Sequence, residues 1–197
     1  MRFHVEQQIS FSPDQVQALA RFTVLLREAN ERLGLVSAEA MVELDTQLMQ
    51  PCLRFAQLPI LHQPALNVVD LGSGGGFPAI PMAITWPRHR FLLIDSRLKK
   101  CEFLQGVATT LGLDNVEVRH ARVEKLKHLP APDLFTARFF KDLKLIAAWT
   151  RHWRCPGTRY LLFTGRGIVQ VKSLYNLKFV CEHHLTLDKV ALEYLTV

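Results

Sequence analysis

Val68-Val69-Asp70-Leu71-Gly72-Ser73-Gly74-Gly75-Gly76-Phe77-Pro78 is an apolar run that ends in an acid, passes through glycines and meets a proline. A short apolar run bounded by glycine reads as a buried strand, here Asn67 to Leu71. Glycines at 72, 74 and 76 let the backbone turn sharply and approach a ligand closely, because no Cβ stands in the way. Pro78 can then open a helix, since its ring presets the backbone angle of a first helical turn. Strand, glycine turn and helix together read as a ligand-holding loop at the start of a βαβ unit.

Downstream, Phe91-Leu92-Leu93-Ile94-Asp95, Val116-Glu117-Val118, Leu134-Phe135-Thr136 and Tyr160-Leu161-Leu162-Phe163 are further short apolar runs, and helical periodicity fills the gaps between them. The clearest helix carries Leu98, Cys101, Leu104, Ala108 and Leu111 on one stripe, with Gly112 as its stop. Alternation of this kind builds a parallel sheet covered on both faces. Leu177 to Leu185 and Val190 to Val197 read instead as strands joined by Thr186-Leu187-Asp188-Lys189, a hairpin at one sheet edge. The expected fold is α/β, a doubly wound, mostly parallel, Rossmann-like sheet of seven strands.

Upstream, Ser12-Pro13-Asp14-Gln15 joins an N-cap serine, a proline at the first helical position and a glutamine three residues on. Val16, Leu19, Phe22, Leu26, Ala29 and Leu33 follow as one apolar stripe, and Gly34 supplies a C-cap. A second helix is predicted from Ser37 to Gln50 with Met41, Leu44 and Leu48 inward, limited by Pro51. Residues 1–60 are thus expected to form an N-terminal helical extension, and residues 61–197 the catalytic domain. Neither an internal repeat nor a low-complexity segment interrupts the chain.

Length and composition bound the function. The 197 residues, 49% apolar and 21% charged, suit a globular chain with a real core. No apolar run reaches the roughly 18 residues of a membrane span, and Met1 to Ile9 has no signal-like segment, so a cytoplasmic protein with no membrane partner is expected. Cys52, Cys101, Cys155 and Cys181 lie far apart, which argues for reduced thiols and against a zinc site. Residues 1–60 hold 5 Lys and Arg against 7 Asp and Glu, while residues 61–197 hold 19 against 11. A basic second part fits a surface that meets a polyanion, although basic surfaces also occur in proteins that never touch nucleic acid.

A dinucleotide turn would need its third glycine at position 77, where a bulky phenylalanine stands. The spacing G-x-G-x-G after an acidic strand end resembles instead the first motif of class I methyltransferases. Asp95, at the end of the second strand, stands where a carboxylate accepts ribose hydroxyls; that feature fits NAD equally well, and an N-cap role is the plain alternative.

Taken together, Asp70-Leu71-Gly72-Ser73-Gly74-Gly75-Gly76-Phe77-Pro78-Ala79-Ile80-Pro81, Leu92-Leu93-Ile94-Asp95-Ser96-Arg97-Leu98-Lys99-Lys100 and Phe103-Leu104 resemble the ribosomal RNA small-subunit methyltransferase G family, also called glucose-inhibited division protein B. The resemblance covers roughly residues 13–165. It implies methyl transfer from S-adenosyl-L-methionine to N7 of a guanine in small-subunit ribosomal RNA, either free or in an assembling small subunit, by a monomer. By motif, the implied cofactor residues are Gly72, Ser73, Gly74, Gly76, Phe77, Asp95, Val123, Glu124 and Arg138, and the implied substrate residues are Lys100 and Arg138. No catalytic acid or base is assigned, because N7 carries an exposed lone pair and attacks without losing a proton.

The chain departs from that family at Glu31 to Ser37 and Asp45 to Pro51, which lack its N-L-T and H-x-x-D-S segments, at Ala137 and Phe139, and at Thr164-Gly165-Arg166-Gly167. A cofactor-binding relative that has lost or changed its RNA activity is therefore the alternative function, and an NAD oxidoreductase the third. Arg97, Lys99, Arg119, Arg122, Lys125, Lys127, Lys141 and Lys144 are candidates for holding phosphates. His183 and His184 lack companions at metal-ligand spacing, and Trp149 and Trp153, four apart on a helix, read as core packing.

Overall fold

The strand that leads into the glycine turn runs through the interior of a sheet and is buried on both faces, so Val68, Val69, Asp70 and Leu71 are buried in succession rather than in alternation. The structure, a computed structural model, describes residues 10–54, 59–129, 131–138, 143–164, 180–187 and 190–196. Strands β1 (Asn67–Leu71), β2 (Arg90–Asp95), β3 (Val116–His120), β4 (Leu134–Arg138), β5 (Arg159–Thr164), β6 (Val180–Leu187) and β7 (Val190–Thr196) lie in the order β3-β2-β1-β4-β5-β7-β6. The first five are parallel; β7 runs antiparallel between β5 and β6. The expected edge hairpin forms, although the residues predicted at 177–179, 188–189 and 197 lie outside the described ones.

Two buried clusters cover the sheet faces. Val68, Leu93, Leu134 and Leu161 point to one, Val69, Leu71, Ile94, Phe135 and Leu162 to the other, as the two-residue period of a strand requires. The first face is covered by α1 (Pro13–Leu33), α4 (Ala79–Thr85) and α5 (Leu98–Leu111). The second carries α6 (Leu143–Thr150).

Helix α1 begins with the full capping box between Ser12 and Gln15 and ends on Gly34 in the left-handed region. Its buried line is Leu19, Phe22, Leu26 and Ala29, each large side chain contributing about 1.5–3 kcal/mol by burial. Val16 is not on that line and is 54% exposed. The stripe runs back through residue 15, one helical step of about 100° away, and the Gln15 amide donates to the Ile84 and Thr85 carbonyls at 3.2 and 3.0 Å.

The predicted second helix is broken. It consists of α2 (Ala38–Val42), a π-helical turn over Leu44–Met49 and α3 (Gln50–Leu53). Leu44 and Leu48 are buried as expected, but Pro51 does not end the segment; it sits buried in the first turn of α3. A proline is tolerated there because the wider preceding turn bonds Gln50 N–H to the Asp45 carbonyl, five residues back, and the missing N–H falls in a first turn. No helix among the described residues is long and apolar enough to cross a membrane.

Candidate functional site

Strand order reverses at β1, whose neighbours β2 and β4 lead to opposite faces, so a crevice opens beyond the carboxyl ends of these strands. A cavity of about 750 Å³ lies at that edge, the size expected for a nucleoside-like ligand. The turn after β1, the end of β2, the turn after β3 and the end of β4 supply one wall; residues between α1 and the π-helical turn supply the other.

The glycine turn is pinned from β2. Gly72 and Ser73 donate their amides to the Ile94 carbonyl at 2.8 and 3.1 Å, and Gly74 donates to Asp95 Oδ2 at 2.9 Å. Asp95 Oδ1 accepts from Arg97 N–H at 2.8 Å, so the carboxylate orders the loop before α5 without being the helix N-cap, which is Arg97. Asp95 lines the cavity, and each of its oxygens keeps spare acceptor capacity, because an ionised carboxylate offers about four acceptor sites.

Of the residues implied by the sequence, Gly72, Ser73, Gly74, Phe77, Asp95, Lys100, Val123, Glu124 and Arg138 all line this cavity. Gly76 does not line it. A Cβ on Gly76 would lie 2.8 Å from Ile80 Cγ1, 3.2 Å from Leu104 Cδ2 and 3.3 Å from Phe22 Cζ, so the side-chain position there points into the core. Phe77 serves both: it lines the cavity and packs on Phe22 with ring centroids 5.2 Å apart.

Arg138, the last residue of β4, joins the two walls. Its Nη2 donates to the Gln47 carbonyl at 2.7 Å, and its guanidinium carbon lies 5.4 Å from the Phe163 ring centroid. In a continuous α-helix that carbonyl would receive the N–H of residue 51, but Pro51 has none. Burial draws the Arg138 pKa down, with the neighbouring Cys52 opposing. Cys52 is itself buried, donates its thiol to the Leu48 carbonyl at 3.0 Å, and has its pKa pushed up to about 12, chiefly by burial. It is therefore an unreactive thiol at neutral pH.

Beneath the turn, Asp70 is 1% exposed. Its Oδ1 accepts from Thr136 Oγ1 at 2.5 Å, Ser73 Oγ donates to its backbone carbonyl at 3.2 Å, and Oδ2 has no hydrogen-bond partner among the described residues. Burial raises its pKa to about 7, against the lowering effect of the Thr136 and Ser73 bonds.

The basic candidates divide. Lys100 lines the cavity beside Gly74, and burial lowers its pKa while Asp95 opposes. Arg97 and Arg122 also line it, Arg122 with a 3.9 Å contact to Glu124. Arg119 pairs with Glu117 on β3, Lys99, Lys125, Lys127 and Lys144 are exposed away from the lining, and Lys141 lies outside the described residues.

Sequence reading missed several wall residues. Leu35, Val36, Ser37, Ala40, Gln47 and Leu48 line the cavity, and Gly75 admits them: a Cβ there would come within 3.1 Å of Val36 Cγ1. Trp149 packs on the second buried cluster as expected, but it also lines the cavity, which core packing alone does not predict; Trp153 is 3% exposed in the turn beyond α6. Periodicity gives both tryptophans one stripe, and both meet the second cluster; only the fold shows that Trp149 also reaches the cavity. Among the described residues that line the cavity, none is a histidine or a cysteine.

Comparison with known proteins agrees with this architecture. The family model described as rRNA small subunit methyltransferase G matches residues 15–188. A protein of Stutzerimonas stutzeri (strain A1501) described as Ribosomal RNA small subunit methyltransferase G is 36% identical over 151 residues, 77% of this chain and 69% of that one. Another of that description, from Chlorobium luteolum (strain DSM 273 / BCRC 81028 / 2530), is 37% identical over 148 residues, 74% of this chain and 60% of that one. Among solved structures, TrmN from Thermus thermophilus superposes with a TM-score of 0.57 at 21% identity, over 75% of this chain and 47% of that one. A point mutant of MtNAS in complex with S-adenosylmethionine gives 0.59 at 13%, over 92% and 76%; both likenesses speak to the fold. With the family model spanning most of its length, this chain belongs to the rRNA small subunit methyltransferase G family.

Proposed function

We propose that the cavity is the S-adenosylmethionine site of a methyltransferase acting on N7 of a guanine in small-subunit ribosomal RNA. The observation that carries the reading is the Asp95 carboxylate at the end of β2, bonded to the Gly74 amide across the mouth of the glycine turn and still able to accept two ribose hydroxyls. The residues fit such a group: bare backbone at Gly72 and Gly74 for a methionine moiety, Asp95 for a ribose, and the Val123–Glu124 turn for a base. When bound, S-adenosylmethionine supplies a sulfonium-linked methyl group that a nucleophile can displace.

The protein's task is then alignment. Gly72 and Gly74 leave room for close approach, and Asp95 fixes the depth of the nucleoside. Arg138 and the wall at Gln47 and Leu48 bound the space that a base edge must enter. Holding two reactants in line contributes roughly 7–11 kcal/mol without any proton transfer. Guanine N7 needs no base, consistent with a lining of glycine, apolar, basic and carboxylate groups in which Asp95 is engaged by amides. Arg97, Lys100 and Arg122 at the rim suit a phosphate backbone.

Calorimetry with S-adenosylhomocysteine and with NAD tests the cofactor, and mass mapping of small-subunit RNA after incubation with the protein and S-adenosylmethionine tests the acceptor. The expected result is tight binding of the homocysteine nucleoside only, and one added methyl on a guanine N7. Exclusive NAD binding overturns the reading; cofactor binding without RNA methylation favours the relative that has lost its RNA activity.

A further inference from the structure

Trp149 is large, aromatic and half-buried: it packs on the second buried cluster and also lines the cavity. Ile146 and Ala147 of α6 are buried in the second cluster, with Val123 in the same cluster, and α6 packs against the Val123–Lys125 turn. Thr150, next to Trp149, donates to the Ile146 carbonyl at 2.8 Å and pairs with Tyr160 Oη at 2.7 Å, so the end of α6 is tied to β5. Tyr160 in turn stacks on Phe135 at 5.1 Å. The indole is therefore mounted on a rigid frame beside the turn that lies one strand beyond Asp95.

We propose that Trp149 forms one wall of the subsite for the adenine ring of the cofactor, opposite or beside the Val123–Glu124 turn. The assignment rests on the cofactor reading above and adds the residue that reads the base. A purine has apolar faces and polar edges; here an indole and Val123 offer apolar surface, and Glu124 offers an acceptor at the rim. Stacking on an aromatic wall suits a flat heterocycle and requires no hydrogen-bond code. A guanine of the RNA is the less fitting occupant: α6, which carries Trp149, packs against the Val123–Lys125 turn, whereas the wall at Gln47 and Leu48 is held by Arg138.

The chain has Trp86, Trp149 and Trp153, which makes emission a position-specific readout. Full-length wild type, Trp149→Phe, Trp86→Phe and Trp153→Phe are titrated with S-adenosylhomocysteine while tryptophan emission is followed, and affinity is measured in parallel by calorimetry. The expected result is an emission change in wild type and in the Trp86 and Trp153 variants. That change should vanish in Trp149→Phe although this variant still binds. Trp149→Ala should bind about 5- to 100-fold more weakly, the loss typical of one stacked base. A signal that persists in Trp149→Phe, or unchanged affinity in Trp149→Ala with a raised KM for RNA, overturns the proposal while leaving the cofactor reading intact. Failure of wild type to bind the nucleoside by calorimetry overturns both. Trp149→Phe keeps the test decisive if the alanine variant does not fold.

Discussion

On one side of the cavity the wall is the sheet edge: the turn after β1 bonded through its own amides to Ile94 and Asp95, with the Val123–Lys125 turn beyond it. On the other side the wall is residues 35–48, which share no strand with the sheet and are joined to it by the Arg138–Gln47 bond and by packing on Gly75. The first wall is set by local backbone chemistry, a few residues deciding their own turn. The second is set by contacts between segments some 90 residues apart, and a chain can vary it without disturbing the sheet. The departures from the family pattern at 31–37 and 45–51 include Leu35, Val36, Ser37, Gln47 and Leu48 of that second wall.

The sharpest break of this comparison is between two glycines of the first wall. Gly76 has φ +91 and no room for a side chain, while Gly74 has φ +53 but its nearest neighbours to an added Cβ are 3.6 and 3.7 Å away. Gly76→Val combines a left-handed backbone penalty with overpacking, and its expected cost in denaturant unfolding is about 3–5 kcal/mol. Gly74→Val meets the same backbone penalty without the clash, about 1–2 kcal/mol; its larger effect is on binding, because Gly74 faces the cavity. Affinity for S-adenosylhomocysteine should fall roughly tenfold or more. Equal stability losses in the two variants would refute the division of roles.

The second wall is tested at its anchor. Arg138→Met removes a charged donor from the Gln47 carbonyl, a loss of about 1.5–3 kcal/mol for a hydrogen bond of that kind. Amide exchange over residues 44–50 should quicken by the corresponding factor, while the amides of β1 and β2 keep their protection. Quickening spread evenly over the sheet would mean that Arg138 supports the fold at large and not this wall.

The contrast between the walls also explains what the sequence could and could not disclose. Asn67 to Pro78, Asp95 and the capping box at Ser12 were readable because each signal is local: a glycine at a fixed offset, a serine three residues before a glutamine. The Gln47 carbonyl was invisible, since a backbone acceptor leaves no trace in residue identity, and Pro51 read as a helix end because the π-helical turn that accommodates it has no sequence signature. Gly76 was placed with the ligand because a core-facing glycine and a ligand-facing one look alike in a motif; the distances to Ile80 and Leu104 tell them apart. Trp149 was read only in part for a like reason: the 3.6-residue period of a helix marks its packing on the core and cannot show that the same side chain also borders a cavity.

The smallest expected effect concerns the acid under the first wall. Asp70 has a folded pKa of about 7 against an ordinary value of 3.8, because burial disfavours its charge by more than its hydrogen bonds favour it. Folding therefore takes up a proton between these values: the stability this group contributes is present at acid pH and is lost as pH rises through about 7. Buried His89 acts in the opposite sense. Its pKa is lowered by burial, so protonation of the unfolded chain draws stability away as pH falls below 6.5. Comparing Asp70→Asn with wild type removes the histidine contribution, which both proteins share, and the amide oxygen of asparagine can still accept from Thr136. From pH 6 to pH 8 wild type should lose about 1 kcal/mol relative to Asp70→Asn in urea unfolding. Parallel profiles would mean that Asp70 is ionised throughout, with a donor or cation beside Oδ2, and the first wall would then be held by a charge rather than by amides alone.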